Sequence, residues 1–218
     1  MDSWFEGTVQ PRLKGPAFMV RYADDLLVVC RREVDARKVL DVLPKRFGKY
    51  GLTLHPDKTQ IVRFLRPPLQ PQRLARERRP GSFDFLGFTH YWGRSQKGNW
   101  VVRRKTALSR FNRALKAVDG WMRQHYHEPV SEQCRALRRK LFGHYAYYGI
   151  TGNARSLQRF RHQVERRWRK RLNRRSQRAW LDWERFDRLL VRYPLPPARV
   201  VHANCPRAAN PCFEEPDA

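Results

Sequence analysis

Two adjacent carboxylates, Asp24 and Asp25, stand between two short apolar runs, residues 18–23 and 26–30. Short β-prone runs joined by two charged residues predict a hairpin that carries its charges at the tip. Two ionised carboxylates repel each other, so such a pair favours a bound cation. Mg²⁺ prefers carboxylate oxygens, and phosphoryl transfer by two metal ions about 3.5–4 Å apart is one chemistry that uses them. The alternative is an ordinary surface hairpin, because Asp is a common turn residue.

The net charge of the chain indicates which class of partner it binds. Its 218 residues include 46 Lys and Arg against 20 Asp and Glu, a net charge of +26. An excess this large favours a polyanion, nucleic acid before membrane. No run approaches the ~18 apolar residues of a transmembrane helix, and the N-terminus lacks the order of a signal peptide. Four scattered cysteines suggest neither a zinc site nor a disulfide framework, so we expect a reduced, cytoplasmic protein.

The first half of the chain predicts strands and one helix around the acidic hairpin. Apolar residues recur at helical spacing over residues 36–50, where Pro44 predicts a kink or two shorter helices. A second short hairpin is expected over residues 52–64, and the Pro- and Arg-rich stretch 66–81 reads as an exposed, mobile loop. A strand over residues 83–93 is expected to pair with residues 99–103, across a turn between Gly93 and Gly98.

The second half predicts three or four amphipathic helices in a small bundle. Their apolar faces are Leu108, Phe111, Leu115, Val118 and Met122; Val130, Cys134, Leu137, Leu141, Tyr145 and Tyr148; Leu157, Phe160, Val164, Trp168 and Leu172; and Trp183, Phe186, Leu190 and Tyr193. Asn153 is the expected cap of the third helix. The predicted fold class is therefore α+β, with antiparallel hairpins and a helix followed by an all-α bundle.

The polar faces of these helices are mostly arginine. Residues 103–178 hold 22 Lys and Arg and four acids, an excess of 18 positive charges. A phosphate backbone is the natural counter-charge, and arginine suits phosphate contact and stacking on bases. The densest patch, and our candidate for RNA binding, consists of Arg166, Arg167, Trp168, Arg169, Lys170, Arg171, Arg174 and Arg175.

The sequence Tyr22-Ala23-Asp24-Asp25 between two apolar strands resembles the YxDD box of reverse transcriptases, and its YADD form is similar to those of group II introns. Residues 51–62, GLTLHPDKTQIV, resemble the block that follows this box, and residues 83–88 resemble the FLGF block at the palm–thumb boundary. The resemblance implies that Asp24 and Asp25 bind Mg²⁺ and that Lys58 assists the leaving pyrophosphate as a general acid. It implies primer and template contacts at Tyr22, Leu86, Gly87 and Phe88. A solvated turn lysine is the alternative for Lys58.

Residues 143–153 and 192–202 resemble the thumb and maturase region of group II intron proteins. The implied organisation is a C-terminal part of the palm over residues 1–103, a helical thumb/maturase region over 104–202 and an irregular tail over 203–218. Within this pattern His144, Tyr145, Tyr147, Tyr148 and Asn153 are maturase candidates, although a Tyr-rich helix end is more often packing.

The resemblance implies RNA-directed DNA synthesis with Mg²⁺, a DNA primer and an RNA template, together with a splicing role on intron RNA. Family polymerases have another metal-binding Asp on an earlier strand, and nothing before Asp24 supplies it. We therefore expect a fragment that is inactive as a polymerase by itself. A non-catalytic module that binds intron RNA is the second hypothesis, and an unrelated basic DNA-binding protein is the third.

Overall fold

A computed structural model describes residues 1–67, 81–175 and 180–202. The chain forms two compact units, Met1–Arg103 and Arg104–Ala218. The fold is α+β, as predicted, with two small antiparallel sheets and a set of helices. The loop predicted at 66–81 lies largely outside the described residues, and the tail at 203–218 lies wholly outside them. No helix in the described part of the chain is long and apolar enough to cross a membrane.

The first sheet is the predicted acidic hairpin. Strands β1 (Ala17–Tyr22) and β2 (Asp25–Cys30) pair antiparallel, and Tyr22 opposite Asp25 is the last pair before the turn. The loop is therefore only Ala23 and Asp24. Asp25 begins β2, one residue earlier than the sequence predicted, because the two-residue turn brings it opposite Tyr22.

One face of this hairpin packs on helices of the first unit. The N-terminal helical stretch comprises α1 (Asp2–Trp4), a π-helical turn (Phe5–Val9) and a 3₁₀ turn (Gln10–Arg12); α2 spans Glu33–Gly48. The buried cluster consists of Phe5, Val9, Ala17, Val39 and Leu43.

Helix α2 corrects one expectation, since it continues through Pro44 as a single helix. Proline removes the hydrogen bond to the carbonyl four residues earlier, that of Leu40. Pro44 lies on the exposed side of the helix, where water can satisfy that carbonyl. Of the two alternatives predicted at Pro44, a kink or two shorter helices, the second was therefore wrong.

The predicted second hairpin over residues 52–64 is also wrong, because no strand forms between Lys49 and Arg66. A 3₁₀ turn (Pro56–Lys58) occupies the middle of this segment. The amide and the hydroxyl of Thr59 both donate to the His55 carbonyl, at 3.1 and 2.9 Å. These local bonds close the turn without a ladder between its flanks.

The second sheet has the order β3-β4-β5, formed by β3 (Phe83–Phe85), β4 (Phe88–Arg94) and β5 (Trp100–Thr106). The strand predicted over residues 83–93 is instead a hairpin that turns at Leu86 and Gly87. Their φ values of +49° and +77° are the positive values that both central residues of a type I′ turn need. The pairing of its second strand with β5 is confirmed.

The second unit is the predicted helical bundle. Its helices are α3 (Leu108–Gln124), α4 (Val130–Tyr148), α5 (Ala154–Leu172) and α6 (Trp183–Arg192). The buried core is formed by the apolar faces identified in the sequence, among them Phe111, Leu137, Tyr145, Trp168 and Phe186. All four helices are confirmed.

The segment that follows α6 packs along α4. The Tyr145 hydroxyl donates to the Pro196 carbonyl at 3.4 Å, and the Val201 amide donates to the Gly149 carbonyl at 2.8 Å. A side chain at Gly149 would place its Cβ 2.2 Å from the Tyr145 carbonyl oxygen. Glycine therefore ends α4 and leaves room for the returning chain.

Each unit contains one described cysteine. Cys30 is half-buried at the end of β2, and Cys134 is buried in the bundle core. Burial raises the pKa of both thiols. They are therefore protonated and poorly reactive in the folded chain at neutral pH.

Candidate functional site

The two carboxylates lie at the tip of the first hairpin. Asp24 is the second residue of the turn, and Asp25 is the first residue of β2. Both are exposed, and neither carboxylate receives a hydrogen bond or an ion pair from the described residues. Ala23 has a φ of +49°, an uncommon conformation for a residue with a Cβ, and it directs the chain sharply from Tyr22 into the acidic pair.

The register of the hairpin assigns its side chains to two faces. Met19, Leu26 and Val28 pack against the core of the first unit. Tyr22 and Asp25 are on the opposite face, where the Tyr22 side chain is 65% exposed. An aromatic ring and a carboxylate thus stand side by side on an accessible surface.

Asp24 and Asp25 provide the type of oxygen ligand that Mg²⁺ prefers, but they provide only two carboxylates. Two carboxylates leave most of the six positions of Mg²⁺ to water, phosphate or another ligand. Asp2 is engaged elsewhere, since Arg21 donates to its carboxylate at 3.2 Å, and this hydrogen bond lowers the pKa of Asp2. Within residues 1–67, 81–175 and 180–202, no three His, Cys, Asp or Glu side chains group as a metal site.

The other candidates of the first unit are in turns. Lys58 ends the 3₁₀ turn, and its exposed ammonium group has no acidic partner among the residues described. Leu86 and Gly87 form the tip of the β3–β4 hairpin, and Phe88 begins β4.

The predicted RNA-binding run on α5 is divided between core and surface. Trp168 is fully buried, and its indole Nε1 donates to Gln133 Oε1 at 2.8 Å. Arg171 is 8% exposed and binds both carboxylate oxygens of Asp119, at 2.9 and 2.7 Å. Because neither side chain is available to a ligand, assigning Trp168 and Arg171 to RNA binding was a mistake.

The remaining six cations of this run lie outside the core. Arg167 donates to Gln163 Oε1 at 2.7 Å, Arg169 donates to the Leu181 carbonyl at 2.9 Å, and Arg175 donates to the Glu128 carbonyl. Arg166, Lys170 and Arg174 are exposed, and none of them pairs with an acid in the described part of the chain.

Other residues of the maturase candidates are structural. His144 and Tyr145 are buried, and the His144 ring stacks on Phe160 with centroids 3.8 Å apart. Asn153 does not cap α5 with its side chain; it is buried and hydrogen-bonded to Thr106 and Tyr148 instead.

A groove beside α5 was not foreseen from the sequence. It has a volume of about 420 Å³ and lies among Arg166, Arg169, Lys170, Arg174, Trp180 and Trp183. The available signal was the pair of tryptophans, three residues apart, that follows the basic run.

Comparison with known families concerns the first unit. Residues 4–90 match the model of the reverse transcriptase (RNA-dependent DNA polymerase) family. The matched segment contains the acidic hairpin, Lys58 and the Leu86–Gly87 turn. Neither the curated proteins nor the solved structures contain a significant match.

Proposed function

We propose that this chain carries part of a group II intron-type reverse transcriptase with a maturase role. The first unit is the C-terminal part of the palm, and the second is the thumb/maturase region. The observation that carries this proposal is the reverse transcriptase match over residues 4–90, which includes an exposed Asp24–Asp25 pair at a hairpin tip. The basic helices of the second unit support a nucleic-acid partner.

In this proposal, Asp24 is the principal Mg²⁺ ligand and Asp25 its neighbour. Bound Mg²⁺ would stabilise the charge that develops on the transferred phosphoryl group. Lys58 neutralises or protonates the leaving pyrophosphate. Tyr22 and the turn at Leu86, Gly87 and Phe88 contact the primer and template. The template is RNA, and the primer is DNA.

We further propose that the 218 residues by themselves synthesise little or no DNA. Metal-assisted transfer depends on fixed ligand geometry, and the described residues offer only two carboxylates at the hairpin tip. A further metal ligand would have to come from outside this pair.

Primer extension on an RNA template, with Mg²⁺ or Mn²⁺, tests this proposal. We expect no extension above background from the chain or from Asp24→Ala. Robust synthesis that Asp24→Ala abolishes would show that the pair suffices for catalysis. Calorimetric titration with Mn²⁺ tests the metal site separately. Asp24→Ala should remove the binding of Mn²⁺ at the hairpin tip, whereas Asp57→Ala, at an exposed control position, should leave it unchanged.

The second candidate is a non-catalytic module that binds intron RNA. It is favoured by the exposed cations Arg166, Lys170 and Arg174, which have no acidic partner among the described residues. RNA binding that is lost on neutralising Arg166, Arg167, Arg169 and Lys170, but is unchanged in Asp24→Asn, is the expected result. A preference for duplex DNA over structured RNA would instead favour an unrelated DNA-binding protein.

A further inference from the structure

The groove beside the C-terminal half of α5 has the size and composition of a ligand site. Its volume of about 420 Å³ lies in the range of small-molecule pockets. Its lining combines cations with two indole rings and contains no carboxylate. A groove of this composition suits a ligand that is both anionic and aromatic.

Three cations line the groove from the last turns of α5 and the turn that follows it. Arg166 and Lys170 are four residues apart on one face of α5, and Arg174 lies in the turn after Leu172, where its amide donates to the Arg171 carbonyl at 3.1 Å. All three are exposed, and none has an acidic partner in the described chain. Cations beside a helix C-terminus are favourable by themselves, but three in a row without acids repel one another. A phosphate in the groove would relieve this repulsion.

The opposite wall is held in place by specific contacts. The Asn173 side chain bonds the Leu181 backbone in both directions, donating at 3.0 Å and accepting at 2.6 Å. The Arg169 guanidinium lies 4.1 Å above the Trp183 ring while it donates to the Leu181 carbonyl. These contacts fix the segment from Trp180 to Trp183 against α5.

The two indoles remain accessible despite this anchoring. Trp180 is 65% exposed and Trp183 is 43% exposed. Trp180 uses only its backbone carbonyl within the described chain, as acceptor for Arg185 at 3.2 Å. The exposed Trp180 indole, next to cations without acidic partners, can therefore stack on a base without breaking any contact of the fold.

We propose that this groove binds a single unpaired nucleotide, with the base stacked on Trp180 and the phosphate held by Arg166, Lys170 and Arg174. Trp183, which already contacts Arg169 and His162, forms part of the wall. The shared chemistry is a phosphate next to an aromatic base, and its source is either a free nucleoside monophosphate or an unpaired position in an RNA strand. Under the function proposed above, the source is the RNA strand. Only this choice between the two sources rests on the proposed function. Duplex RNA is excluded because its bases are already stacked.

Fluorescence anisotropy with labelled single-stranded RNA and duplex RNA of equal length tests the stacking. We expect Trp180→Ala to weaken single-strand binding about tenfold and to change duplex binding less than about twofold. Trp180→Phe should retain most of the affinity. The Trp180 ring has no contact with the bundle core, so the fold should survive this change. Equal weakening for both RNAs, or no weakening, would overturn the proposal.

Salt dependence tests the phosphate contacts separately. Replacing Arg166, Lys170 and Arg174 by Ala should reduce the slope of log affinity against log salt for single-stranded RNA by about 0.7, the value for one phosphate of a single strand. The matched control replaces Lys116, Arg113 and Arg139, three exposed cations of α3 and α4 that do not line the groove, and should change the slope by less. Equal slopes in the two triple variants would overturn the assignment of the phosphate.

Titration with adenosine monophosphate and with inorganic phosphate, followed through the indole N–H signals, distinguishes the sources. A response to the nucleotide that Trp180→Ala removes supports the site for a free nucleotide, and a response to the RNA strand alone supports a strand subsite. An identical response to inorganic phosphate would show that the base is not recognised and would overturn the proposal. None of these results depends on polymerase activity, so the groove and the acidic hairpin can fail independently.

Discussion

At the scale of single residues, Asn153 joins two parts of the second unit. Its Oδ1 accepts the Thr106 amide at 2.9 Å, and its Nδ2 donates to the Thr106 hydroxyl and the Tyr148 carbonyl, both at 2.8 Å. The side chain is 1% exposed, so water cannot replace these bonds. The end of β5 and the end of α4 are therefore held at the start of α5.

We expect Asn153→Ala to lower the free energy of unfolding of the second unit by about 3 kcal/mol, because it leaves the buried Thr106 amide without its partner and removes the bonds to the Thr106 hydroxyl and the Tyr148 carbonyl. Urea denaturation followed by circular dichroism measures this change. Asn112→Ala, at an exposed position of α3, is the control and should have little effect. A loss for Asn153→Ala as small as for the control would show that the three bonds contribute little.

His144 makes the second unit sensitive to pH. Burial lowers the pKa of His144 to about 4, and its Nε2 has no hydrogen-bond partner in the described chain. As pH falls below ~6.5 the unfolded chain binds a proton at this site that the folded chain rejects. The contribution of neutral, buried His144 to the free energy of unfolding is therefore intact at neutral pH. It is lost progressively as the pH falls from ~6.5 to 4, by about 3 kcal/mol at most.

Replacing His144 by Phe should remove this part of the pH dependence, because the ring stays stacked on Phe160 and no longer titrates. The measurement is the difference in unfolding free energy between pH 7 and pH 5, in the parent and in the variant. His127→Gln, an exposed histidine, is the control. Identical pH profiles for the parent and His144→Phe would contradict the assigned pKa.

At the scale of elements, one ion pair connects α3 and α5. Arg171 donates through Nε and Nη2 to both oxygens of Asp119. Burial by itself would raise the pKa of Asp119, but the hydrogen bond and charge of Arg171, with a smaller contribution from Arg123, lower it overall. Because the pair is sheltered, removing one partner leaves a charge without compensation.

Asp119→Asn should therefore destabilise the second unit by about 3 kcal/mol. The double variant Asp119→Leu with Arg171→Met should lose much less than the sum of its single changes. Urea denaturation of the parent, the two single variants Asp119→Leu and Arg171→Met, and the double variant measures the coupling energy between the two side chains. Glu184→Gln is the control, since its pair with Arg188 is exposed and should contribute under about 0.5 kcal/mol. Additive losses would mean that the two side chains do not interact.

Some helices, strands and turns could be predicted from local sequence patterns, and others could not. The helices of the second unit were predictable because apolar residues recur every three or four positions and Pro129, Gly149 and Pro194 mark their limits. The turn at Leu86 was not, because a leucine at positive φ has no sequence signal beyond the glycine after it. The segment over residues 59–66 alternates like a strand, but local sequence does not reveal whether a partner strand exists.

The same periodicity explains the division of the basic run. Val164, Trp168 and Arg171 continue one face of α5 at intervals of four and three residues, and that face is the core. The sequence placed Trp168 both on the apolar face and in the basic patch, and Arg171 in the patch alone, whereas the helical spacing indicates burial for both. The groove at Trp180 and Trp183 depends on contacts between distant positions, such as Asn173 with Leu181, which no local pattern predicts.

At the scale of the whole molecule, the two units have separate apolar cores. We expect urea or thermal unfolding in two steps, one for each core. Leu43→Ala, in the first core, should shift one step by about 2–5 kcal/mol, and Asp119→Asn should shift the other. Differential scanning calorimetry resolves the steps. A single transition that both variants shift equally would show that the two cores unfold together.

The two sheltered thiols give each unit its own reporter. A disulfide reagent reacts with a thiolate, and burial keeps Cys30 and Cys134 from ionising in the folded chain. Once Cys205 and Cys212 are replaced by Ser, the modification rate at Cys30 follows opening of the first unit and that at Cys134 follows opening of the second. Mass spectrometry of the two labelled peptides then gives a separate opening rate for each half of one chain, in the presence or absence of RNA.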